Sequence, residues 1–270
     1  IFKFLFLTFF SSFVVDARVA LPTQAKYEVL GDMPVSDTVC MEGLFFKDGY
    51  LYQSNGWYGE SALVRIDPEN GDEMIRHDLE SEFFAEGIAA VGNNIYQLTY
   101  TKQTCFIYEE IDGEFRVIGQ HKYSNKEGWG LTYDGTHLIM SDSTEKLYFR
   151  DPSTFEVVKT VTVKDAVDNH VTWINELEFV KGKLLANHFM TQYLYIINPS
   201  SGKIDFYIDL SKLNPNRYPG CKCRCGPPTA NGVAYDEEND ILWVSGKDWK
   251  YYYRIKLTLP TGLVIGAGGE

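Results

Sequence analysis

Short apolar runs along the chain come in pairs, and the pairs recur five times. One copy opens at Glu86, passes through an apolar run to the turn Gly92-Asn93-Asn94 and continues in a second apolar run that ends at Tyr100. The turns in the five copies contain Gly, Asn or Asp, which adopt positive φ readily in hairpins. The pattern therefore predicts five β-hairpins. The five copies begin at Glu42, Glu86, Trp129, Asn175 and Asn231.

The spacing of the hairpins predicts a β-propeller. Successive copies start 44, 43, 46 and 56 residues apart, and repeats of about 40–50 residues with several strands each are typical of propeller blades. A second pair of apolar runs follows each hairpin, as at 62–66 and 73–77 in the first copy. Four strands for each repeat make one blade.

The two ends of the chain predict how the ring closes. The last repeat has only three strands and ends near Leu259, while an isolated strand at Tyr27–Leu30 precedes the first hairpin. If the N-terminal strand completes blade five, no long sheet edge is left open. We therefore expect an all-β fold, a five-bladed β-propeller over residues 27–260. Residues 18–26 are expected to be a linker and residues 261–270 a tail.

The first 17 residues have the character of a secretory signal peptide. An apolar run surrounds Lys3, and Val15-Asp16-Ala17 carries small residues of the kind found at signal-peptidase sites. An uncleaved anchor is the alternative, although the run is shorter than the roughly 20 residues of a membrane span. We expect a secreted or secretory-pathway lumenal protein without stable membrane association after signal removal.

Charge and composition narrow the classes of partner. The formal net charge is −12, and no run of Lys or Arg offsets it. This argues against binding to nucleic acid or to an anionic membrane surface. Aromatic residues make up 15% of the chain, which suffices for one core. We expect a monomer.

The five cysteines leave two structural hypotheses open. Cys221, Cys223 and Cys225 lie in the insertion that lengthens the fourth repeat. A disulfide within or from this loop is favoured over a metal site, because Cys-x-Cys lacks the usual zinc spacing. Cys40 could be a thiol at the mouth of a pocket. His188 is expected to face solvent.

The aligned hairpin starts suggest a site on the propeller axis, because innermost strands begin near one mouth of the central channel. These starts are two carboxylates, two amides and one indole, although they could instead satisfy backbone groups at strand ends. Aromatic walls with a few polar groups suit a small cationic or amide-bearing ligand. A carboxylate among rings also tends to a raised pKa, so Glu86 or Glu42 could act as a general acid and base. Partners are expected from the ends of the second strands, at Asn55, Tyr100, Asp142, Asn187, Phe189 and Lys247.

Several motifs together resemble the plant and bacterial type of glutaminyl-peptide cyclotransferase. These are Glu127-Gly128-Trp129-Gly130-Leu131-Thr132, Ser141-Asp142-Ser143-Thr144, Ile174-Asn175-Glu176-Leu177-Glu178 and Ser245-Gly246-Lys247-Asp248-Trp249. The resemblance implies a five-bladed propeller that cyclises an N-terminal glutaminyl residue of a peptide to pyroglutamate, releases ammonia, and uses no metal or other cofactor.

The resemblance also implies roles for individual residues. The catalytic Glu of the family's Phe-x-Glu-Gly motif falls on Glu86 in Phe84-Ala85-Glu86-Gly87, and Phe84 joins the aromatic wall. Trp129 falls on a wall residue, Asn175 on the amide-holding Asn and Lys247 on the family's Lys. The residues expected to bind the substrate are Glu42, Phe84, Tyr100, Trp129, Asn175, Phe189, Asn231 and Lys247.

The family pattern is not followed at every position, and two other functions stay in view. The family's Phe-Thr-Gln-Gly-Leu motif appears as Cys40-Met41-Glu42-Gly43-Leu44, and two family tryptophans appear as Tyr100 and Phe189. One alternative is a propeller that binds peptide N-termini or amines without cyclising them. The other is a calcium-dependent, lactonase-like propeller, which usually has six blades.

Overall fold

The fold is known from a computed structural model that describes residues 19–35, 40–214 and 227–266. Within these ranges the regular elements are all β-strands. The three-cysteine loop at 221–225 and the N-terminal segment 1–17 lie outside the described residues.

The strands follow the predicted repeats. Two strands precede the first blade, β1 (Thr23–Gln24) and β2 (Lys26–Pro34). Blade one contains β3 (Met41–Lys47), β4 (Tyr50–Asn55), β5 (Ala62–Ile66) and β6 (Glu73–Asp78). Blade two contains β7 (Ala85–Val91), β8 (Asn94–Thr99), β9 (Thr104–Ile111) and β10 (Glu114–Lys122). Blade three contains β11 (Leu131–Tyr133), β12 (Leu138–Ser141), β13 (Lys146–Arg150) and β14 (Val157–Thr162). Blade four contains β15 (Ile174–Val180), β16 (Lys183–His188), β17 (Tyr193–Ile197) and β18 (Ile204–Asp209). Blade five contains β19 (Ala230–Asp236), β20 (Ile241–Gly246) and β21 (Tyr251–Thr258), followed by β22 (Val264–Ile265).

The ring closes as predicted, through the N-terminal strand. Strand β2 pairs antiparallel with β21 and becomes the outer strand of blade five. Two short strands add to the prediction. Strand β1 pairs parallel with β18 of blade four, and β22 pairs with β21. They fall in the segments expected to be linker and tail.

Each pair of neighbouring blades encloses its own apolar core. Five clusters of buried side chains occupy the five junctions, including the one between blades five and one. Along β4, Leu51 packs in the junction with blade five and Tyr52 in the junction with blade two. The inner strands read as nearly continuous apolar runs because both of their faces are buried.

The innermost strands are irregular where the predicted axial residues lie. The strand register shifts at 41–43, 85–88, 174–177 and 230–233, and such bulges redirect side chains. The backbones also approach closely there. A Cβ atom on Gly87 would lie 2.5 Å from Trp129 O, and one on Gly130 would lie 2.1 Å from Asn175 O. Glycine at these positions lets neighbouring inner strands meet near the axis.

Two glutamates on β15 bridge the inner strands farther along the axis. The Leu44 and Val233 amides donate to Glu176 Oε1 and Oε2, at 3.4 and 3.0 Å. The Tyr235 amide and the Thr132 hydroxyl donate to Glu178 Oε1 and Oε2, both at 3.0 Å. The carboxyls thus give three backbone amides and one hydroxyl of neighbouring inner strands a hydrogen-bond partner. A cleft of about 520 Å³ lies at this far mouth, lined in part by Phe46, Glu178, Tyr235 and Glu237.

Candidate active site

The five residues at the hairpin starts, Glu42, Glu86, Trp129, Asn175 and Asn231, are the axial residues, and the end of the channel where they lie is the near mouth. One backbone hydrogen bond recurs there and sets the geometry of the site. The residue after the second strand donates its N–H to the carbonyl two positions before the axial residue. The four examples are Gly56 to Cys40 (2.7 Å), Tyr100 to Phe84 (2.9 Å), Phe189 to Trp173 (2.9 Å) and Lys247 to Thr229 (2.9 Å). This bond holds the end of each hairpin beside its beginning, so the side chains of Tyr100, Phe189 and Lys247 join the axial residues.

A buried ion pair forms the polar side of the site. Lys247 Nζ lies 2.7 and 2.6 Å from the two carboxylate oxygens of Glu42, and these side chains are 8% and 1% exposed. Asn231 Nδ2 donates to Glu42 Oε2 at 3.2 Å and to the Met41 carbonyl at 2.7 Å. Burial raises the pKa of Glu42, while Lys247 and Asn231 act in the opposite direction. The Lys247 ammonium also lies 5.4 Å from the centre of the Phe189 ring.

Glu86 is the least satisfied carboxyl of the site. It is 6% exposed, and no side chain or backbone group in the described ranges makes a hydrogen bond to its carboxyl oxygens. Burial raises the pKa of Glu86 well above its usual value, and the nearby carboxylates of Glu42 and Glu127 raise it further, while Lys247 partly offsets them. Such a group can hold and exchange a proton near neutral pH.

Aromatic rings of blades three and four form one wall. The Trp129 ring centre lies 5.0 Å from that of Phe189 and 5.9 Å from that of Trp173, and the Trp173 and Phe189 rings are stacked at 5.6 Å. These distances are those of favourable aromatic pairs. The wall lies beside the Lys247 ammonium.

A second wall belongs to blade two, and Glu127 connects the two. The Phe84 and Tyr100 rings are 5.9 Å apart. The Tyr100 hydroxyl donates to Glu127 Oε1 at 3.0 Å, and Trp129 Nε1 donates to Glu127 Oε2 at 3.1 Å. One carboxylate therefore positions a ring from each wall.

Trp173 and Glu127 were not among the predicted site residues. Each stands two positions before an axial residue, Asn175 and Trp129, as Phe84 stands before Glu86. Extending the repeat alignment backward by two positions would have found both. The recurring backbone bond holds Trp173 at the mouth. Beside Glu127, the Gly128 amide donates to the Tyr100 carbonyl and holds that segment at the same mouth.

Four buried amide atoms at this mouth have no hydrogen-bond partner among the described residues. They are the donors Asn55 Nδ2 and Asn187 Nδ2 and the acceptors Asn175 Oδ1 and Asn231 Oδ1. In Asn55 and Asn187 the side-chain oxygen is occupied by Gln53 Nε2 and by the Gly232 amide. An unpaired buried polar group costs about 1–3 kcal/mol, so such a set requires polar partners.

Three sequence-based expectations end differently. Asp142, expected in the pocket, instead accepts hydrogen bonds from Asn125 Nδ2 at 2.7 Å and from the Thr144 hydroxyl at 2.5 Å. Cys40 is disulfide-bonded, so its sulfur, 3.1 Å from Glu42 Oε1, has no proton to donate and is no nucleophile. His188 is buried beside the Tyr195 hydroxyl, not solvent-facing, and burial lowers its pKa to about 4.

The structure also bears on the remaining cysteines and on metal binding. Cys105 is a free, buried thiol, and Cys221, Cys223 and Cys225 lie outside the described residues. In the described ranges, no three His, Cys, Asp or Glu side chains are grouped as ligands for a metal ion. The five blades differ from the six expected of the lactonase-like alternative.

Comparisons with known proteins agree on one family. A family model described as glutamine cyclotransferase matches residues 5–257. The chain is 30% identical over 233 residues to the glutaminyl-peptide cyclotransferase of Arabidopsis thaliana, which covers 86% of this chain and 71% of that protein. The crystal structure of Myxococcus xanthus glutaminyl cyclase superposes with a TM-score of 0.78 at 27% identity, covering 87% of this chain and 98% of that one.

The family match spans all five blades and therefore the whole site. The five-bladed fold and the family predicted from the motifs are both confirmed. This chain belongs to the glutamine cyclotransferase family.

Proposed function

We propose that this protein converts the N-terminal glutaminyl residue of peptides to pyroglutamate and releases ammonia, with Glu86 as the proton shuttle. The observation that carries the proposal is the buried Glu86 carboxyl, which has no hydrogen-bond partner in the described part of the chain and lies among aromatic walls and a buried ion pair. Family membership supports the same reaction.

The reaction needs one proton moved between two nitrogens of the same residue. The neutral α-amine attacks its own side-chain carboxamide carbon, and a C–N bond forms while negative charge grows on the amide oxygen. Glu86 takes the proton from the attacking nitrogen and delivers one to the amide nitrogen, which leaves as ammonia. Glu86 ends in its starting protonation state, and its raised pKa suits both transfers.

Lys247 is suited to stabilise the amide oxygen. An ammonium has three N–H donors, and the two short contacts to Glu42 use two of them. The third is left for the substrate oxygen as charge develops. Asn175 Oδ1, an unpaired acceptor, would receive an N–H of the substrate, and the Trp129 ring would exclude water.

Glu42 stands where the resemblance leads one to expect Gln. In this protein the extra negative charge is paired with Lys247 through both of its oxygens. We infer that the Glu42 carboxylate holds the Lys247 ammonium in position for the substrate, and that cyclisation is retained.

The test is a coupled ammonia assay on a peptide that begins with Gln. We expect ammonia together with the pyroglutamyl product by mass spectrometry, and neither from the same peptide with an acetylated N-terminus, because acetylation removes the nucleophilic amine. Ammonia from the acetylated peptide would show plain amide hydrolysis and contradict the proposal. Saturable binding without ammonia would favour the binding-only alternative, and loss of activity with a chelator would favour the calcium-dependent one.

We further propose that the mature protein acts as a monomer outside the cell or in the secretory lumen. The apolar run before residue 17 supports the secretory route. No helix within the described ranges has the length and apolar character needed to cross a membrane. Expression in a secreting host should yield a soluble monomer that begins near residue 18. Recovery of the uncut chain in membranes would contradict the proposal.

A further inference from the structure

The loop between β4 and β5 brings two aromatic rings to the near mouth, the half-buried ring of Trp57 and the exposed ring of Tyr58. Tyr58 is 47% exposed, yet its ring centre lies only 5.4 Å from that of Phe84, and that of Trp57 lies 6.3 Å from the same ring. Phe84 stands two residues before Glu86. A continuous aromatic surface therefore runs from beside Glu86 toward solvent.

This loop is held in one conformation. The Gly56 amide donates to the Cys40 carbonyl at 2.7 Å. The Ser61 hydroxyl donates to the Trp57 carbonyl at 2.9 Å and accepts from the Ala85 amide at 3.0 Å, which ties the loop to the residue before Glu86. Trp57 has φ of +115°. A non-glycine residue in this region is strained, and such strain persists where the surroundings fix it, often at ligand-binding sites.

The position of these rings sets them apart from the other exposed apolar side chains. Most of the remaining large exposed hydrophobic residues lie on β2, β6, β10 and β14, the outer strands of the blades. The polar side of the site, at Glu42, Asn231 and Lys247, is almost fully buried. These rings therefore offer an exposed apolar surface beside the site to the part of a peptide that follows its first residue.

We propose that Trp57, Tyr58 and Phe84 form a subsite for the side chain of the second residue of the peptide, and that it favours large apolar and aromatic side chains. This inference rests on the proposed function. Rigid rings bind such a side chain with little loss of conformational freedom. One apolar contact of this size corresponds to roughly 10-fold to 200-fold in kcat/KM.

The experiment compares Gln-Phe-Ala-NH2 with Gln-Ala-Ala-NH2 in the ammonia assay. The wild type should favour the Phe peptide by about tenfold or more in kcat/KM. Tyr58→Ser and Trp57→Gly should bring the ratio toward one, with kcat/KM for the Ala peptide changed by less than about threefold. Glycine is the suitable replacement at Trp57 because it adopts positive φ without strain.

Val158→Ser is the control, since Val158 is an exposed apolar residue on the outer strand β14 of another blade. It should retain the wild-type ratio. An unchanged ratio in both loop variants, or no preference in the wild type, overturns the subsite while leaving the proposed function standing. Absence of ammonia from every peptide overturns the proposed function and the subsite together.

Discussion

Glu86, which is buried, and Glu178, which is half-buried, are carboxyls near opposite mouths of the same channel, and they differ in what surrounds them. The pKa of Glu86 is raised well above its usual value, and burial raises the pKa of Glu178 to about 8. Both carboxyl oxygens of Glu178 accept a hydrogen bond, from Tyr235 and Thr132. Those of Glu86 accept none from any described residue.

The difference teaches that a raised pKa alone does not identify a catalytic carboxyl. Glu178 is occupied with joining inner strands, and Glu176 does the same beside it. The far mouth even has a sizeable cleft, but there Glu178 and Asp236 each accept two hydrogen bonds from neighbouring groups. The near mouth combines an unpartnered carboxyl, a buried cation and unpaired amides. Unmet hydrogen-bonding capacity, more than acidity or cavity size, separates the two.

After substitution of Glu86, substitution of Lys247 is expected to have the largest effect on kcat/KM. Lys247→Met removes the cation from the near mouth and should lower kcat/KM by about 10²-fold to 10³-fold. It also leaves Glu42 buried without its partner, which should lower the free energy of unfolding by about 3–5 kcal/mol. The double variant Lys247→Met with Glu42→Gln should regain most of that stability and none of the activity. Recovery of activity in the double variant would show that Lys247 serves only to balance Glu42.

A smaller effect is expected at Glu127. Glu127→Gln loses one of the two acceptors that hold Tyr100 and Trp129 and should lower kcat by about tenfold. Because the Glu127 carboxylate raises the pKa of Glu86, the ionisation of Glu86 in the pH profile of kcat/KM should move to lower pH. Glu114→Gln, on the outer strand of blade two, is the control. A lower kcat with an unmoved profile would limit Glu127 to a structural role.

Substitution of Glu178 is expected to have the smallest effect on turnover. It should instead change how the free energy of unfolding depends on pH. Folded Glu178 keeps its proton up to about pH 8, whereas an unfolded glutamate loses it near pH 4.3. The folded state thus binds the proton more tightly, so this contribution to stability is greatest below about pH 4 and is lost as the pH rises toward 8. Urea titrations at pH 5 and pH 8 should show the wild type losing on the order of a few kcal/mol more than Glu178→Gln. Parallel losses in both proteins would contradict this.

The repeat pattern predicted the five blades and the axial residues of the site. It did not predict the two shortest strands or the position of Asp142. Glu42, Glu86, Trp129, Asn175 and Asn231 were found because equivalent positions of equivalent hairpins must meet at the axis. Strands β1 and β22 were not predicted, because two residues are too few to show an alternation of apolar and polar side chains. Asp142 was predicted to line the pocket because it ends a second strand. The hairpin register does not show that Asn125, a loop residue, donates a hydrogen bond to its carboxylate.

Side-chain pairing was the part that the sequence could not supply. Glu42 and Glu86 are both carboxylates at hairpin starts, yet only the structure shows one bound to Lys247 and the other unpartnered. Glu176 and Glu178 likewise look like site residues until their hydrogen bonds to three other blades are seen. Such contacts depend on which blades become neighbours, so they follow from ring closure and not from local pattern.

The most direct measurement compares kcat of Glu86→Gln and Glu178→Gln for one Gln-initiated peptide under the same conditions. Both changes remove a carboxyl with a raised pKa and keep its shape. We expect Glu86→Gln to remain folded and to lose about 10²-fold to 10⁴-fold in kcat, and Glu178→Gln to turn over within about threefold of the wild type. Equal rates in the two variants would contradict the assignment of Glu86 as the proton shuttle.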